Sequence, residues 1–201
     1  MLESDHWSMI GSRNTVVAVI AGLSLGAAAG LSAFFGWPMS VHSKALAPPS
    51  HPKFAEVRWP FPTDEWGEGK AFRCEKADCG VEVNVYIRAK IGFCNCLTGV
   101  SDDNELDRLS DFNLMDGKPS VLGPGHEINI AWMKGRSRAY TITEPYHAPS
   151  SVLAIAFNDR CDAVVATATI AHDGPKAIEP SVIEFLNSEV IVHWAEVTLG
   201  L

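Results

Sequence analysis

The chain has 201 residues, 47% of them hydrophobic and 20% charged, with five cysteines. This composition supplies one globular core and argues against both a disordered chain and a disulfide-dense miniprotein. A formal net charge of -8 argues against nucleic acid as partner, because phosphate binding needs clustered Lys and Arg.

From Asn14 to Ser43, thirty residues pass without Asp, Glu, Lys or Arg. The apolar stretch Thr15 to Trp37 is long enough, at about 1.5 Å per residue, to cross a hydrocarbon layer of roughly 30 Å. Trp7 and Trp37 bracket it, and Phe34 and Phe35 crowd its far end, as interfacial aromatics do. Residues 1–13 are then a short tail and 14–38 a transmembrane helix that acts as a signal anchor in the lipid bilayer. A cleaved signal peptide is the competing reading, supported by Arg13 ahead of the run and by small Ala45 and Ala47. The length of the run, Pro48 just after Ala47, and Glu3 and Asp5 opposing Arg13 favour retention. Gly22, Gly26 and Gly30 stand four residues apart on one helical face, where missing side chains let a second backbone approach. That face suits self-association or a membrane-protein partner. Arg13 on one side and Lys44, Lys53 and Arg58 on the other leave the positive-inside count ambiguous. A short tail before a large domain is the layout of a signal anchor, which places the domain in the periplasm or outside the cell.

Residues 39–63 read as a Pro-rich linker, with Pro48, Pro49, Pro52, Pro60 and Pro62 making it an extended, semi-rigid spacer. Residues 64–201 read as the exported globular domain. Val81, Val83, Val85, Ile87 and Ala89 alternate with Glu82, Asn84, Tyr86, Arg88 and Lys90, the pattern of a strand with one wet face. "INIAWMKGRSRAYTIT" predicts a hairpin turning near Gly135. "SVLAIAFNDRCDAVVATATIA" predicts another turning around Asn158 to Arg160, apolar on both faces and therefore central in its sheet. "EVIVHWAEVTL" predicts a last strand. Two short helices are expected, at Asp102 to Leu109 with Ser101 as cap, and at Ser181 to Asn187 with Ser181 and Glu184 as a capping box. The fold class is α+β, mainly antiparallel β, arranged as a sandwich or an open barrel.

The cysteines admit several chemistries. Cys74, Cys79, Cys94 and Cys96 supply four thiolates for zinc or an iron–sulfur centre, but the spacing is poor. A straight strand over 81–90 also spans roughly 33 Å and separates Cys79 from Cys94. Disulfides fit better: Cys74 with Cys79 across a hairpin loop, and Cys161 with Cys94 or Cys96. The alternative is Cys94 and Cys96 as a soft pair for copper delivery or redox work, without a Cys-x-x-Cys motif.

Other chemistry is thin. No GxSxG, HExxH, phosphate-loop or GxGxxG motif occurs. His126, His147, His172 and His193 are potential bases for Cys161 as nucleophile, although His193 reads as a core histidine. The acidic run "SDDNELDRLSD" lacks a calcium-loop pattern, and its acids offset a helix macrodipole. Lys134, Arg136 and Arg138 crowd a hairpin tip and are the candidates for meeting an acidic partner or lipid headgroups. The expectation is a single-pass anchored protein whose β-rich domain binds or helps assemble a partner, with no cofactor. Thiol or metal handling, with copper or zinc, is the competing class.

Overall fold

A computed structural model describes residues 52–93, 95–143, 149–171 and 174–201. The segment read as an anchor, with Gly22, Gly26 and Gly30, lies outside the described residues, as do Cys94, His147 and His172. Eight strands make one antiparallel sheet: β1 (Ala55–Val57), β2 (Lys70–Cys74), β3 (Val83–Lys90), β4 (Lys118–Val121), β5 (His126–Ile130), β6 (Met133–Thr143), β7 (Ser150–Asp159) and β8 (Asp162–Ile170). Their order is β1-β2-β3-β8-β7-β6-β4, and β5 pairs with the first half of β6 beside β4.

The hairpin of β7 and β8 is central, as its two apolar faces require. Residues Val152 to Phe157 and Ala163 to Thr167 are buried throughout. On one face, Val83, Val85 and Ile87 of β3 join Leu153, Ile155, Val164 and Ala166 in the main core. Helices α3 (Pro175–Leu186) and α4 (Glu189–Leu199) cover that face with Ile178, Val182, Leu186, Ile191, Ala195 and Leu199. On the other face lies α2 (Asp103–Leu109), whose Leu106 and Leu109 pack on Tyr140, Ala154, Ala156, Ala163 and Val165. A short helical turn, α1 (Lys76–Cys79), links β2 towards β3. The architecture is therefore one sheet between two helical layers. It replaces the expected sandwich or open barrel, because α3 and α4 supply the apolar layer that a second sheet was expected to provide.

Several expectations shift. "EVIVHWAEVTL" is helix α4, not a strand. Its β-branched residues suggest extended chain, but the buried positions Ile191, Ala195 and Leu199 recur every four residues, which is a helical face. Gly200 closes the helix in the left-handed conformation, φ 72°. The helix expected at Ser181 to Asn187 is the second half of α3, which begins at Pro175, so Ser181 is no cap. The cap of α2 is Asp102 rather than Ser101: its carboxylate accepts from the Glu105 N–H at 2.9 Å. The β5–β6 turn falls at Ala131 and Trp132, before Gly135. Gly135 instead serves a close approach, since a Cβ there would lie 2.3 Å from the Ala156 carbonyl oxygen.

The stretch read as spacer enters the domain before residue 63. Ala55 to Val57 pair with β2, Phe54 stacks on Phe185 with ring centroids 4.3 Å apart, and Trp59 and Phe61 meet Tyr86 edge-on. No helix among the described residues is long and apolar enough to cross a membrane.

Candidate functional site

The charged residues of β3 and β6 point to the face that α2 covers. The side of β3 read as wet is in fact sealed at its end: Arg88 is 1% exposed and Lys90 4%. Arg88 grips two carboxylates. Its Nε and Nη2 donate to Asp111 at 3.0 and 2.6 Å, and its Nη1 donates to both oxygens of Asp64 at 2.6 and 2.7 Å. Lys90 Nζ lies 2.9 Å from Asp111 Oδ1 and donates to the Leu109 carbonyl at 2.7 Å. Trp59 lies under the Arg88 guanidinium, and Trp66 and Phe93 flank the Lys90 ammonium. Two cations and two carboxylates balance, so the cluster is neutral as a whole. The Arg88 hydrogen bonds hold the Asp64 carboxyl below the usual carboxylate range.

On β6, two of the three basic residues are also engaged. Arg136 Nε donates to Asp103 at 2.5 Å, and Arg138 Nη1 pairs with Asp107 at 3.2 Å. Their other N–H groups reach the carbonyls of Gly125 and Gly123. Burial pushes the Asp103 carboxyl up, but Arg136, the Gly125 N–H and Arg138 together outweigh it and hold it low. The Tyr140 hydroxyl donates to Asp107; burial first, then that carboxylate, raises its pKa well above the ordinary phenol value. Asp103 and Glu105 of the acidic run do stand in the first turn of α2, and Asp103, Asp107 and Asp111 also pair with the cations of β6 and β3.

Lys134 differs. It is exposed, and no carboxylate pairs with it among the described residues. It faces an open groove of about 420 Å³ at the end of the sheet. Glu127, Ile128 and Asn129 of β5, Lys134 and Gly135 of β6, and Asn158 of β7 form one side. The loop residues Thr98, Val100 and Ser101 form the other.

That loop is folded by its own sequence. Asn95 Oδ1 accepts from the N–H of Leu97 at 2.9 Å, and the Gly99 N–H donates to the Asn95 carbonyl at 2.7 Å. Asn158 holds it to the sheet, accepting from the Val100 N–H at 3.0 Å while donating to the Arg160 carbonyl at 3.1 Å. Gly99 sits at φ +60°, and a Cβ there would come within 2.3 Å of Asn158 Oδ1. A disulfide joins Cys96 to Cys161 in the β7–β8 turn and fastens the loop a second time. Leu97, 95% exposed, and Trp132, 52% exposed, present apolar surface beside the lining segments.

The other cysteines and histidines follow. Cys74 and Cys79 are bonded across α1, Cα atoms 5.9 Å apart, over a helical turn where a hairpin loop was expected. Cys161 takes Cys96 of its two sequence candidates, which occupies the sulfur that a copper pair would need. It also leaves Cys161 without the free thiol of a nucleophile. No group of three or more metal-ligating side chains occurs among the described residues. His126 lies 3.2 Å from Glu179, and His193 is on the outer side of α4, 3.6 Å from Glu196. Sequence reasoning missed the groove and the pairing of Arg136 and Arg138. The signal available for the pairing was the carboxylate every fourth residue at Asp103, Asp107 and Asp111.

No protein-family model matches the chain, and no curated protein does. Among solved structures it is similar to a protein of unknown function from Pseudomonas aeruginosa (PA94), with 14% identity, 67% of this chain and 94% of that chain covered, and a TM-score of 0.39.

Proposed function

We propose that the protein is a single-pass membrane protein whose exported domain binds, or helps assemble, a protein partner of a membrane complex, and that the groove at the end of the sheet is its contact surface. The groove carries the proposal. It offers one uncommitted cation, Lys134, amid hydrogen-bonding side chains, with exposed Leu97 and Trp132 beside the lining segments. Tryptophan is a frequent anchor of protein contacts, and Leu97 adds exposed apolar surface. The disulfides Cys74–Cys79 and Cys96–Cys161 suit an oxidising compartment. The apolar run before the domain supplies the anchor, and its glycine row a helix contact within the bilayer.

Site-specific photo-crosslinking in intact cells tests the reading. A crosslinker in place of Thr98 or Lys134 is expected to give a discrete membrane-bound adduct, and one in place of exposed Glu65 none. Equal labelling from all three positions, or none from the first two, refutes the groove. Intact mass of the membrane-extracted protein tests the anchor, since a chain beginning near Pro48 refutes it.

A further inference from the structure

The two disulfides lie in contrasting surroundings. Cys74 is fully buried in the main core with Phe72 and Val83, and its bridge closes a single helical turn. Cys96 is exposed, in a loop whose next residue, Leu97, is almost wholly in solvent. Cys161, its half-buried partner, sits in the tight turn between β7 and β8. Cys79 and Cys161 are both half-buried, so the difference in access lies between buried Cys74 and exposed Cys96, and a thiolate must reach a sulfur to exchange with it. What each bridge holds also differs. Cys74–Cys79 ties the last residue of β2 to the end of α1, five residues on, away from the groove. Cys96–Cys161 ties the 95–101 loop, one wall of the groove, to the sheet. Among the described residues the wall is also held by the Val100–Asn158 hydrogen bond, by the burial of Gly99 and Val100, and by the Asn95 N–H donating to Glu105 at 3.3 Å.

We propose that Cys96–Cys161 is a thiol-exchange site that takes a dithiol reductant and thereby loosens the groove. A thiolate of the dithiol attacks Cys96 Sγ; the Cys96–Cys161 bond breaks, and Cys161 leaves as a thiolate that takes a proton from water. The reductant's second thiol, deprotonated by solvent, attacks its own sulfur in the mixed disulfide and expels Cys96 as the second thiolate. Two electrons pass to the protein, and the reductant departs as its disulfide. With the bond gone, the loop gains conformations and Thr98, Val100 and Ser101 no longer form a fixed wall. The consequence for partner binding rests on the groove reading above, whereas the exchange itself does not.

The test uses the full chain, oxidised and in detergent. It is titrated with dithiothreitol, trapped with an alkylating agent and mapped by peptide mass. Cys96 and Cys161 are expected to alkylate at a dithiol concentration at least about tenfold below that needed for Cys74 and Cys79. Over the same range, hydrogen exchange at the Gly99 and Val100 amides is expected to quicken by about tenfold or more, with the core amides of β7 and β8 unchanged. Opening of both bridges together, or of Cys74–Cys79 first, overturns the exchange site. Selective opening with unaltered exchange at Gly99 and Val100 overturns its control of the groove. A Cys96→Ser/Cys161→Ser chain is expected to show the loosened exchange pattern without reductant; should it fail to fold, the titration of the native protein still decides. Loss of the Lys134 crosslink in fully oxidised protein refutes the partner reading alone.

Discussion

Asp111→Asn is the sharpest test of the buried charge cluster. The substitution keeps the shape and removes one negative charge from a site where Arg88 and Lys90 oppose Asp64 and Asp111. One cation is then left in excess, and Lys90 is the more exposed to that loss. Its remaining contacts are the Leu109 carbonyl and the faces of Trp66 and Phe93. Removing one partner of a buried pair costs about 3–5 kcal/mol. Asp64→Asn is expected to cost less, about 1–2 kcal/mol, because the Asp64 side chain is 22% exposed and water can replace part of its role. Urea denaturation followed by tryptophan fluorescence reads both, with Trp59 and Trp66 reporting directly from the cluster. If charge imbalance is the cause, adding Lys90→Met to Asp111→Asn restores at least about 1 kcal/mol, as coupled neighbours in a cycle do. Strictly additive losses, or a larger loss from Asp64→Asn than from Asp111→Asn, refute the reasoning.

Acid should weaken the α2 side of the domain. Asp64 and Asp103 are held below the ordinary carboxylate range when folded, so their contribution is full above the unfolded value near 4 and is lost as pH falls through the folded values. Unfolding midpoints measured from pH 5 to 2 should fall from about pH 4 downward, and Asp64→Asn with Asp103→Asn should flatten the slope. Gly99→Ala should cost about 1–3 kcal/mol, from a left-handed backbone and a Cβ pressed on Asn158, and should raise hydrogen exchange at Val100. Gly26→Leu in the full chain should reduce self-association or co-purification of a membrane partner while leaving the domain's melting temperature unchanged; intact association refutes the glycine face.

What the sequence made legible was local. The alternation from Val81 to Lys90 and the hairpin run from Ser151 to Ala171, apolar on both faces, report strand and centrality directly, because each residue's own polarity carries the message. Cys74 and Cys79 pair within one short turn, which spacing alone suggests. The misreadings concern what covers what. A polar residue on the second face of a strand looks solvated, yet Arg88 and Lys90 are roofed by segments more than twenty residues away, through Asp64 and Asp111. An eleven-residue run such as "EVIVHWAEVTL" satisfies both periods, and only packing against the sheet selects the helix. The groove arises from three separate segments, so no contiguous motif announces it.

The placement of that groove follows from the clamp beside it. Asp103 and Asp107 lie one turn apart on α2, and Asp111 follows two residues beyond the end of the helix at Leu109. In the sheet, β3 and β6 stand three spacings apart, with β8 and β7 between them, which is about 14 Å. The carboxylates thus reach cations on both strands, Arg136 and Arg138 at one end and Arg88 with Lys90 at the other. Between them, Leu106 and Leu109 rest on Ala154, Ala156 and Ala163, whose small side chains let the segment lie close enough for those pairs to form. Charges on the middle of this face are consumed in holding the layer down. Of the three cations in β6, Lys134 stands beyond the last carboxylate and keeps its charge uncommitted among the described residues. On β6, the clamp holds Arg136 and Arg138, so the cation it leaves open is Lys134, at the end of the sheet beside the groove.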